Sequence, residues 1–423
     1  MQITVESVSD LRGKVNLPAS KSISNRALII YALSQQGKRF QVDGLGNVSD
    51  CDDTRVMMEA LTKNPEVMDI GAAGTAMRFL SAYLSVSGET HVLTGTERMK
   101  HRPIGILVEA LRSLGARVEY VENEGFPPLR IKGISSEKIF TNEVSLPGDV
   151  SSQYISALLM IGPVLRDGLR LTLTGRVVSR PYIEMTLSIM REFGANVVWN
   201  SECELMVSPG GYRRIPYWVE NDWSASSYWY EMVALSPTDD AEIELPGLFG
   251  KSLQGDSAVR DIFGLLGVET EFCRDERDVE GIRIRKGGKP VERLEYDFVN
   301  QPDLAQTLVV TCALMGIPFC FSGLQSLKIK ETDRIAALRT ELRKLGYLIQ
   351  ESDGSVLRWD GERTDAEKEP AIDTYEDHRM AMSLVPACLK LGSIRVNNPE
   401  VVSKSYPNFW KDLAAMGFVV EKS

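Results

Sequence analysis

Two kinds of helical pattern alternate along the chain. Helices of the first kind follow a short stretch of polar and small residues and are apolar on all sides, which is typical of helices buried in a core. Six segments show this pattern: 17–33, 70–85, 146–162, 219–235, 299–316 and 373–392. Because a surface helix would carry a polar face, we expect these six to lie inside the fold.

Helices of the second kind are amphipathic, and most are followed by a β-branched strand. Four or five of them end at a glycine, which readily takes the left-handed conformation found at helix C-termini. Their segments, with the strands that follow, are 52–63, 102–120, 180–199, 255–272, 332–350 and 406–421. The two kinds together predict a repeating β-α-β-α-β-β unit.

The repeat recurs roughly every 75 residues, and the first copy is shorter, nearer 50. A chain of 423 residues is too long for one ordinary core. We therefore predict two domains of three units each, with a boundary near 217–226 and the first strand, "ITVES" (3–7), pairing with the C-terminal half. If the buried helices are parallel, their N-termini converge on one surface per domain, and two such surfaces would face each other across a cleft.

The composition, 43% hydrophobic and 25% charged, is typical of a soluble globular protein. The net charge of −10 disfavours nonspecific binding to nucleic acid or to anionic membranes. No apolar run reaches about 18 residues, and the start, "MQITVESVSD", lacks the pattern of a signal peptide. Six scattered cysteines without CxxC spacing indicate reduced thiols, so we expect a cytoplasmic protein.

Positively charged side chains stand at helix starts, where the helix dipole disfavours them. Lys21 and Arg26 lie in the first turns of the first buried helix. Similar positions are taken by Arg78, Arg102, Arg180, Lys330, Arg334, His378, Arg379 and Lys404. A bound anion would reconcile cation and dipole, so this set predicts substrates that carry several negative charges, such as phosphates and carboxylates.

Polar and acidic residues accompany these cations. Ser151, Ser152 and Gln153 either cap their own helix or donate hydrogen bonds to a phosphate and to sugar-like hydroxyls. Asp303 is either an N-cap or a group that transfers a proton. Glu331 has a cation on each side in "KETDR", which makes it a second candidate for proton transfer.

Several other kinds of site are disfavoured by the sequence. Three histidines without an HExxH pair argue against a zinc site. The stretch "GLFGKS" (247–252) is two residues short of the phosphate-binding motif GxxxxGK[ST], so we predict an ordinary loop. The stretch "GAAGTAMR" (71–78) does not match the dinucleotide-binding motif GxGxxG.

Nine motifs occur in order over nearly the whole chain. They are "LPASKSISNRAL" (17–28), "GAAGTAMR" (71–78), "RPIGILVEALRSLGA" (102–116), "LPGDVSSQYISALL" (146–159), "SRPYIEMT" (179–186), "PDLAQT" (302–307), "KETDRIAAL" (330–338), "YEDHRMAM" (375–382) and "VSKSYPNFW" (402–410). Together they resemble the 5-enolpyruvylshikimate-3-phosphate synthase family of enolpyruvyl transferases. The resemblance implies a two-domain inside-out α/β barrel, each domain three βαβαββ repeats around buried parallel helices, with the active site in the interdomain cleft. It implies one domain at 1–18 and 221–423 and the other at 19–220.

The resemblance also implies a reaction. The enolpyruvyl group of phosphoenolpyruvate would pass to the 5-hydroxyl of shikimate 3-phosphate, and phosphate would leave by addition and elimination. This step lies on the shikimate pathway toward chorismate and the aromatic amino acids. The resemblance implies no metal or organic cofactor. We also expect a monomer in the cytoplasm, and the charge and the lack of a long apolar run argue against nucleic-acid and membrane partners.

Site residues follow from the resemblance, motif by motif. Those that would bind shikimate 3-phosphate are Lys21, Ser22, Arg26, Ser151, Ser152, Gln153, Ser179, Asp303 and Lys330. Those that would bind phosphoenolpyruvate are Lys21, Gly74, Arg102, Gln153, Arg334, Arg379 and Lys404. Asp303 would accept the proton of the 5-hydroxyl and Glu331 would transfer a proton at the pyruvyl carbon. Lys21, Lys330 and His378 complete the implied catalytic set.

The sequence departs from the family pattern in four places. Ala72 stands where Asn or Asp is common, Phe79 where Pro is common and Ser326 where Asn is frequent. The stretch between Arg26 and Gly71 is also shorter than usual. None of these changes removes a charged catalytic group, so we expect them to affect affinity and inhibitor response rather than the reaction class.

Three alternatives compete with this interpretation. An enolpyruvyl transferase acting on UDP-N-acetylglucosamine would need a reactive cysteine near Arg102, but none occurs between Cys51 and Cys203. A non-catalytic relative would have lost the charged set, which is present, and buried charges without a ligand are costly. A nucleic-acid-processing protein is disfavoured by the negative charge and by the absence of a basic and aromatic stripe.

Overall fold

The computed structural model describes residues 1–35, 39–134, 141–276 and 278–422. Its α-helices are α1 (Lys21–Leu33), α2 (Asp52–Lys63), α3 (Gly74–Ser87), α4 (Glu97–Lys100), α5 (Gly105–Ser113), α6 (Ser152–Ile161), α7 (Arg180–Glu192), α8 (Trp223–Leu235), α9 (Val259–Leu265), α10 (Ala305–Met315), α11 (Arg334–Lys344), α12 (His378–Leu384), α13 (Cys388–Leu391) and α14 (Phe409–Ala415). Short 3-10 helices cover Gly162–Val164, Gly255–Ala258, Pro302–Leu304, Gln325–Ile329, Val385–Ala387 and Pro399–Lys404.

The strands that accompany these helices are short. They are β1 (Gln2–Glu6), β2 (Arg12–Lys14), β3 (Leu45–Gly46), β4 (Val67–Asp69), β5 (Thr90–Thr94), β6 (Arg117–Tyr120), β7 (Leu129–Lys132), β8 (Glu143–Pro147), β9 (Leu169–Thr174), β10 (Val197–Ser201), β11 (Glu204–Val207), β12 (Tyr217–Trp218), β13 (Glu242–Pro246), β14 (Val268–Arg274), β15 (Glu280–Lys286), β16 (Leu294–Asp297), β17 (Phe319–Ser322), β18 (Gln350–Ser352), β19 (Val356–Trp359), β20 (Ala371–Ile372), β21 (Ser393–Asn397) and β22 (Val419–Lys422).

The chain divides into two compact units. The first consists of Met1–Pro18 and Glu220–Ser423, and the second of Ala19–Val219. Glu220, which the sequence placed in the second domain, lies in the first unit. The reason is local, because its buried carboxylate accepts hydrogen bonds from Trp223 Nε1 at 2.7 Å and Phe249 N at 2.8 Å.

The same carboxylate explains the stretch that imitates a phosphate-binding loop. Residues 247–252 form a loop, as predicted. In addition to Phe249 N, Ser252 Oγ donates to Glu220 Oε2 at 2.6 Å and Gln254 Nε2 donates to it at 2.9 Å. Burial raises the pKa of Glu220, and these hydrogen bonds partly offset that effect. The donors of this loop therefore serve the protein's own carboxylate.

The first unit contains three four-stranded sheets. Their strand orders are β2-β13-β15-β14, β16-β17-β19-β18 and β20-β21-β1-β22. In each sheet one outer pair is parallel and the remaining pairs are antiparallel, which is the outcome of a β-α-β-α-β-β unit. The N-terminal strand β1 pairs with β21 and β22, so the predicted pairing with the C-terminal half is confirmed.

The second unit follows the same plan with one reduction. Its complete sheets are β4-β5-β7-β6 and β8-β9-β11-β10, each with one parallel and two antiparallel pairs. The remaining sheet consists of β3 and β12, paired in parallel. This two-stranded sheet belongs to the copy of the repeat that is shorter in sequence.

The fold class is thus confirmed as two similar mixed α/β units. Helices α1, α3 and α6 contact one another in the second unit, and α10 contacts α8 and α12 in the first. Their apolar residues are buried on all sides, as the sequence predicted. The described strands form separate sheets, and no closed barrel occurs among them. None of the helices in this described part is long and apolar enough for a membrane span.

Left-handed residues end the amphipathic helices. The predicted glycines follow α5, α7, α9, α11 and α14 and have φ between 85° and 102°: Gly115, Gly194, Gly267, Gly346 and Gly417. Asn64, with φ 46°, takes the same place after α2. A side chain at these glycines would be strained, because positive φ disfavours a Cβ atom.

A buried acid lies in the middle of α8. Glu231 has no exposed surface, and burial raises the pKa of its carboxyl well above the usual range, although the Thr311 hydroxyl partly offsets this. The folded protein therefore favours the protonated form of Glu231 more strongly than the unfolded chain does.

We predict that Glu231→Gln stabilises the protein at pH 8 and that the gain shrinks toward pH 5. The pKa of Glu231 is higher in the folded wild type than in the unfolded chain. The stability that this acid contributes is therefore fully present below the unfolded pKa. It falls as pH rises, by about 1.4 kcal/mol for each pH unit between the unfolded and the folded pKa. Urea unfolding at several pH values, with the exposed Glu292→Gln as control, measures this difference. A gain equal at both pH values would contradict the assignment.

Candidate active site

In the second unit, Lys21 opens the buried helix α1. Ser20 is the N-cap, and its Oγ accepts a hydrogen bond from Ile23 N at 3.4 Å. Lys21 Nζ lies 3.1 Å from Asp53 Oδ2, at the start of α2, and both side chains are mostly buried. Asp53 therefore balances a cation that the helix dipole disfavours. The sequence analysis did not find this partner, although Asp53 stands in the acidic first turn of α2.

Arg26 is more deeply buried than a ligand-binding role alone would require. Its guanidinium donates to Thr186 Oγ1 at 2.7 Å, Ser22 O at 2.9 Å, Ser156 Oγ at 3.2 Å and Tyr182 O at 3.4 Å. Burial lowers the pKa of Arg26 to about 10. A guanidinium has five N–H donors, and Arg26 uses most of them in hydrogen bonds within α1 and between α1 and helices α6 and α7.

Phe79, one of the departures from the family pattern, contacts Arg26. Its ring centroid lies 5.3 Å from the guanidinium carbon, within the range of a cation–π contact. Phe79 itself is fully buried. This departure therefore acts on the packing around Arg26.

Gly74, Arg102 and Gln153 lie together at the N-terminus of α3. A Cβ atom at Gly74 would come within 2.6 Å of Arg102 Nη1, so the guanidinium packs directly against the glycine. Gln153, at the start of α6, donates to Thr75 Oγ1 at 3.1 Å. The starts of two buried helices thus meet, as predicted. We call Gly74, Arg102 and Gln153 the glycine–arginine cluster.

Arg102 is the cation of this cluster, and its charge is not balanced by a described acid. Its Nε is buried and has no hydrogen bond, and among the described residues its side chain forms no ion pair. An unpaired guanidinium beside a helix N-terminus favours an anion, because both charge and free N–H groups point to one place.

Neighbouring residues fix the backbone that carries Arg102. Arg78 donates to Gly74 O at 3.1 Å and to Pro103 O at 3.2 Å. Tyr154 donates its hydroxyl to Pro103 O at 2.6 Å. Arg78, one of the recurring cations, therefore positions the cluster by binding the backbone of Gly74 and Pro103. Sequence reasoning missed Tyr154, which occupies an apolar helix face that gave no signal.

The serines of the second unit lie at two helix starts. Ser151 is the N-cap of α6, and its Oγ accepts from Gln153 N at 3.4 Å, a contact that is compatible with donation of its hydroxyl hydrogen to a ligand. Ser152 is the first residue of α6 and remains half-buried. Ser179 precedes α7 with φ 53°, a left-handed conformation that costs a non-glycine residue about 1 kcal/mol or more.

Arg180 departs from the pattern of the other helix-start cations. Its guanidinium lies 4.3 Å from the Trp199 ring centroid and 3.5 Å from Glu184 Oε1. The side chain is 42% exposed, so its charge is met by a neighbour and by solvent. We therefore remove Arg180 from the candidate anion site.

In the first unit, Arg334 is the centre of a buried ionic network. It is 1% exposed and donates to Asp377 Oδ2 at 2.7 Å, Glu331 Oε2 at 2.9 Å and Asp303 Oδ1 at 3.1 Å. Burial lowers the pKa of Arg334, but the three carboxylates outweigh burial and raise it above its usual range. Arg334 therefore stays charged and fixes all three acids.

Asp303 is held by three cations. Besides Arg334, Arg379 Nη2 donates to Asp303 Oδ2 at 3.0 Å, and Lys330 Nζ lies 3.6 Å from Oδ1. Asp303 lies inside the 3-10 helix Pro302–Leu304, whose N-cap residue is Gln301. The N-cap interpretation is thus not supported. The three cations balance the negative charge of the Asp303 carboxylate, which makes it a candidate proton acceptor.

Asp377 orders the start of α12. It is fully buried, and its Oδ1 accepts from Arg379 N at 2.9 Å. His378 is 2% exposed, and its Nδ1 lies 3.9 Å from Asp377 Oδ1. The sequence analysis missed Asp377, although an aspartate directly before an apolar helix is a typical N-cap signal.

Lys404 lies at one side of this network. Its Nζ donates to Glu376 O at 2.9 Å. Tyr375 and Glu376 each have φ 54°, so Lys404 supports two consecutive left-handed residues directly before Asp377.

The structure therefore brings several of the predicted residues of each unit together. In the first unit, Asp303, Lys330, Glu331, Arg334 and Arg379 form one network, with His378 and Lys404 next to it. In the second unit, the predicted residues include the glycine–arginine cluster and Lys21, which pairs with Asp53. No group of three metal-ligating side chains occurs within the residues that the structure describes.

We predict that Arg334→Ala destabilises the protein by about 3–5 kcal/mol, because three buried carboxylates lose their common partner. Arg339→Ala is the matched control, since this arginine of the same helix is 45% exposed and pairs with Glu351 at the surface. The control should cost about 1 kcal/mol or less. Urea unfolding measures both variants, and equal losses would contradict the central role of Arg334.

Comparison with known proteins places this arrangement in a family. The family model for EPSP synthase (3-phosphoshikimate 1-carboxyvinyltransferase) matches residues 5–64 and 62–413. The 3-phosphoshikimate 1-carboxyvinyltransferase of Bacteroides fragilis strain YCH46 is 57% identical over 421 residues, which cover 100% of this chain and 99% of the relative. The protein of the same name from Sulfurovum sp. strain NBC37-1 is 35% identical and covers 98% of this chain and 99% of its own.

Solved structures agree on the fold. An EPSP synthase from Acinetobacter baumannii superposes with a TM-score of 0.77 at 21% identity, covering 100% of both chains. The enolpyruvyl transferase NikO from Streptomyces tendae gives 0.73 at 15% identity, covering 100% of this chain and 98% of the other. The chain therefore belongs to the EPSP synthase (3-phosphoshikimate 1-carboxyvinyltransferase) family.

Proposed function

We propose that the protein transfers the enolpyruvyl group of phosphoenolpyruvate to the 5-hydroxyl of shikimate 3-phosphate and releases phosphate. Family membership over nearly the whole chain supports this reaction. Within the site, the proposal rests above all on Asp303, a carboxylate held by Lys330, Arg334 and Arg379. A carboxylate for proton transfer beside cations for anionic substrates is what this chemistry needs.

The proposed reaction has two steps. In the addition, the 5-hydroxyl oxygen bonds to C2 of phosphoenolpyruvate, its proton goes to a base, and an acid protonates the C3 methylene carbon. In the elimination, C3 loses a proton, the double bond re-forms, and the bond between C2 and the phosphate oxygen breaks. The same pair of acid and base can serve both steps in reverse roles.

Asp303 accepts the hydroxyl proton in this scheme, and Glu331 transfers the proton at C3. Both acids bond to Arg334, which gives them fixed positions. Most N–H groups of Arg334 are used in this way, so its main contribution is orientation, in addition to the predicted contact with phosphoenolpyruvate. Lys21, Lys330 and His378 complete the catalytic set by family resemblance.

Anion binding is assigned to side chains of both units. Phosphoenolpyruvate is assigned to the glycine–arginine cluster together with Lys21, Arg334, Arg379 and Lys404. Shikimate 3-phosphate is assigned to Lys21, Ser22, Arg26, Ser151, Ser152, Gln153, Ser179, Asp303 and Lys330, so Lys21 and Gln153 serve both substrates. The location of the site in a cleft between the domains stays a prediction.

The proposal includes the setting in which the enzyme works. Lysine and arginine side chains stabilise the negative charge of both substrates, so neither a metal nor an organic cofactor is part of the scheme. We propose a monomer in the cytoplasm without nucleic-acid or membrane partners. The net charge of −10 supports the absence of a nucleic-acid partner.

An enolpyruvyl transferase acting on UDP-N-acetylglucosamine is the second candidate. By family resemblance it would carry a reactive cysteine near Arg102, and the sequence has none between Cys51 and Cys203. This difference favours shikimate 3-phosphate as acceptor.

We predict that Asp303→Asn lowers kcat by roughly 100- to 10,000-fold, the range expected when a general base is removed. Asn keeps the shape of the side chain but cannot take the proton. Phosphate release is measured with shikimate 3-phosphate and, in parallel, with UDP-N-acetylglucosamine. The exposed Asp239→Asn is the control and should match the wild type.

Turnover of the wild type with shikimate 3-phosphate alone supports the proposed acceptor. Turnover with UDP-N-acetylglucosamine alone would overturn it, and turnover with neither acceptor would point to a non-catalytic relative. An active Asp303→Asn variant would remove Asp303 from the role of base.

We predict that Gly74→Ala raises the KM for phosphoenolpyruvate by roughly 10-fold or more. The new methyl group would displace the Arg102 guanidinium, and a hydrogen bond between charged partners contributes about 1.5–3 kcal/mol. Stability should change little, because the end of a flexible side chain can move away. Gly264→Ala is the control, since nothing lies within 4 Å of its added Cβ atom. An unchanged KM would separate Arg102 from phosphoenolpyruvate binding.

A further inference from the structure

Asp256 is a buried acid that the proposed mechanism does not use. It lies in the 3-10 helix Gly255–Ala258 and is 3% exposed. Its Oδ2 accepts a hydrogen bond from Ser224 Oγ. Its Oδ1 is buried without a hydrogen bond, and among the described residues Asp256 forms no ion pair. A buried carboxyl oxygen without a partner is rare and calls for an explanation.

Helix α8 connects Asp256 with the ionic network of the first unit. Ser224 and Tyr228 are four residues apart and therefore lie on the same face of α8. Tyr228 accepts from Arg379 Nη1 across 3.5 Å, and Arg379 Nη2 donates to Asp303 at 3.0 Å. Ser224 and Tyr228, on one face of α8, therefore connect Asp256 to Arg379, a cation that is assigned to phosphoenolpyruvate.

The groups that act electrostatically on Asp256 come from several elements. Asp303 and Asp222 contribute negative charge, Arg379 contributes positive charge, and Ser224 contributes a hydrogen bond. Tyr296, on β16, also interacts with Asp256. On the neighbouring helix α9, the Asp261 side chain is 74% exposed and is screened by solvent.

These surroundings favour the protonated form of Asp256. Burial and then the negative charge of Asp303 raise the pKa of Asp256 to about 7, although Arg379 and Ser224 partly offset both effects. Below about pH 7 the carboxyl of Asp256 therefore mostly carries its proton, and its negative charge near Arg379 appears as the pH rises above that value.

We propose that Asp256 is a positioning residue that leaves the charge of Arg379 available to phosphoenolpyruvate by staying protonated, and that its ionisation weakens phosphoenolpyruvate binding. This inference rests on the proposed function. A second negative charge near Arg379 would compete with the anionic substrate. Because binding and ionisation are linked, a bound anion in turn favours the protonated acid.

The test is the KM for phosphoenolpyruvate between pH 6.5 and 8.5, at saturating shikimate 3-phosphate. In the wild type we expect KM to rise by roughly fivefold or more over this range, which is a usual size of coupling between two sites. In Asp256→Asn, which cannot ionise, this rise should be absent. Asp261→Asn, an exposed acid five residues further on, should behave as the wild type.

Ser224→Ala provides a second variant that keeps the carboxyl. Losing the Ser224 hydrogen bond removes a contact that favours the ionised form, so the rise in KM should move to higher pH. The ionisation of phosphoenolpyruvate itself affects all variants equally, so the comparison between variants isolates Asp256.

The outcomes separate the inference from the function on which it rests. An Asp256→Asn variant that shows the same rise as the wild type would overturn the inference while the enzyme still turns over. A Ser224→Ala variant with an unshifted rise would overturn it as well. A wild type without turnover would instead contradict the proposed function.

Discussion

Charge that is kept from water must be balanced by nearby charge of opposite sign, and the first unit depends on this constraint at Arg334. One buried guanidinium holds Asp303, Glu331 and Asp377 at hydrogen-bonding distance. The same contacts fix the starts of α11 and α12 and the segment before α10. The two acids that we propose for proton transfer, Asp303 and Glu331, are therefore fixed by contacts within the protein itself, as electrostatic preorganisation would require.

The second unit meets the same constraint in a different way. Lys21 is balanced by Asp53, and Arg26 is surrounded by hydroxyl and carbonyl oxygens. Arg102 is supported from behind but has no ion pair within the part of the chain that the structure describes. The first unit thus presents carboxyl groups held by cations, and the second presents a guanidinium, that of Arg102, without an ion pair among the described residues. This division suits a reaction that combines proton transfer with the binding of phosphate and carboxylate groups.

Much of the fold was predictable because it depends on neighbours in sequence. Apolar helices such as α10 and left-handed glycines such as Gly346 follow from local patterns. Residues with charged partners far along the chain were harder. Arg334 and Asp377 are 43 residues apart, and Lys21 and Asp53 are 32 apart, so no local pattern pairs them. Arg180 resembled the other helix-start cations, but the distant Trp199 ring decides its position. The role of Arg26 as a link between helices was hidden for the same reason, since Ser156 and Thr186 both belong to another repeat.

The most direct test of the account is the fate of the oxygen that bridges carbon and phosphorus in phosphoenolpyruvate. We would label this oxygen with oxygen-18, incubate the substrate with the enzyme and shikimate 3-phosphate, and analyse the released phosphate by mass spectrometry. Addition and elimination break the carbon–oxygen bond, so the label should appear in inorganic phosphate. Label retained on the three-carbon product would mean that the phosphorus–oxygen bond had broken, and it would contradict enolpyruvyl transfer.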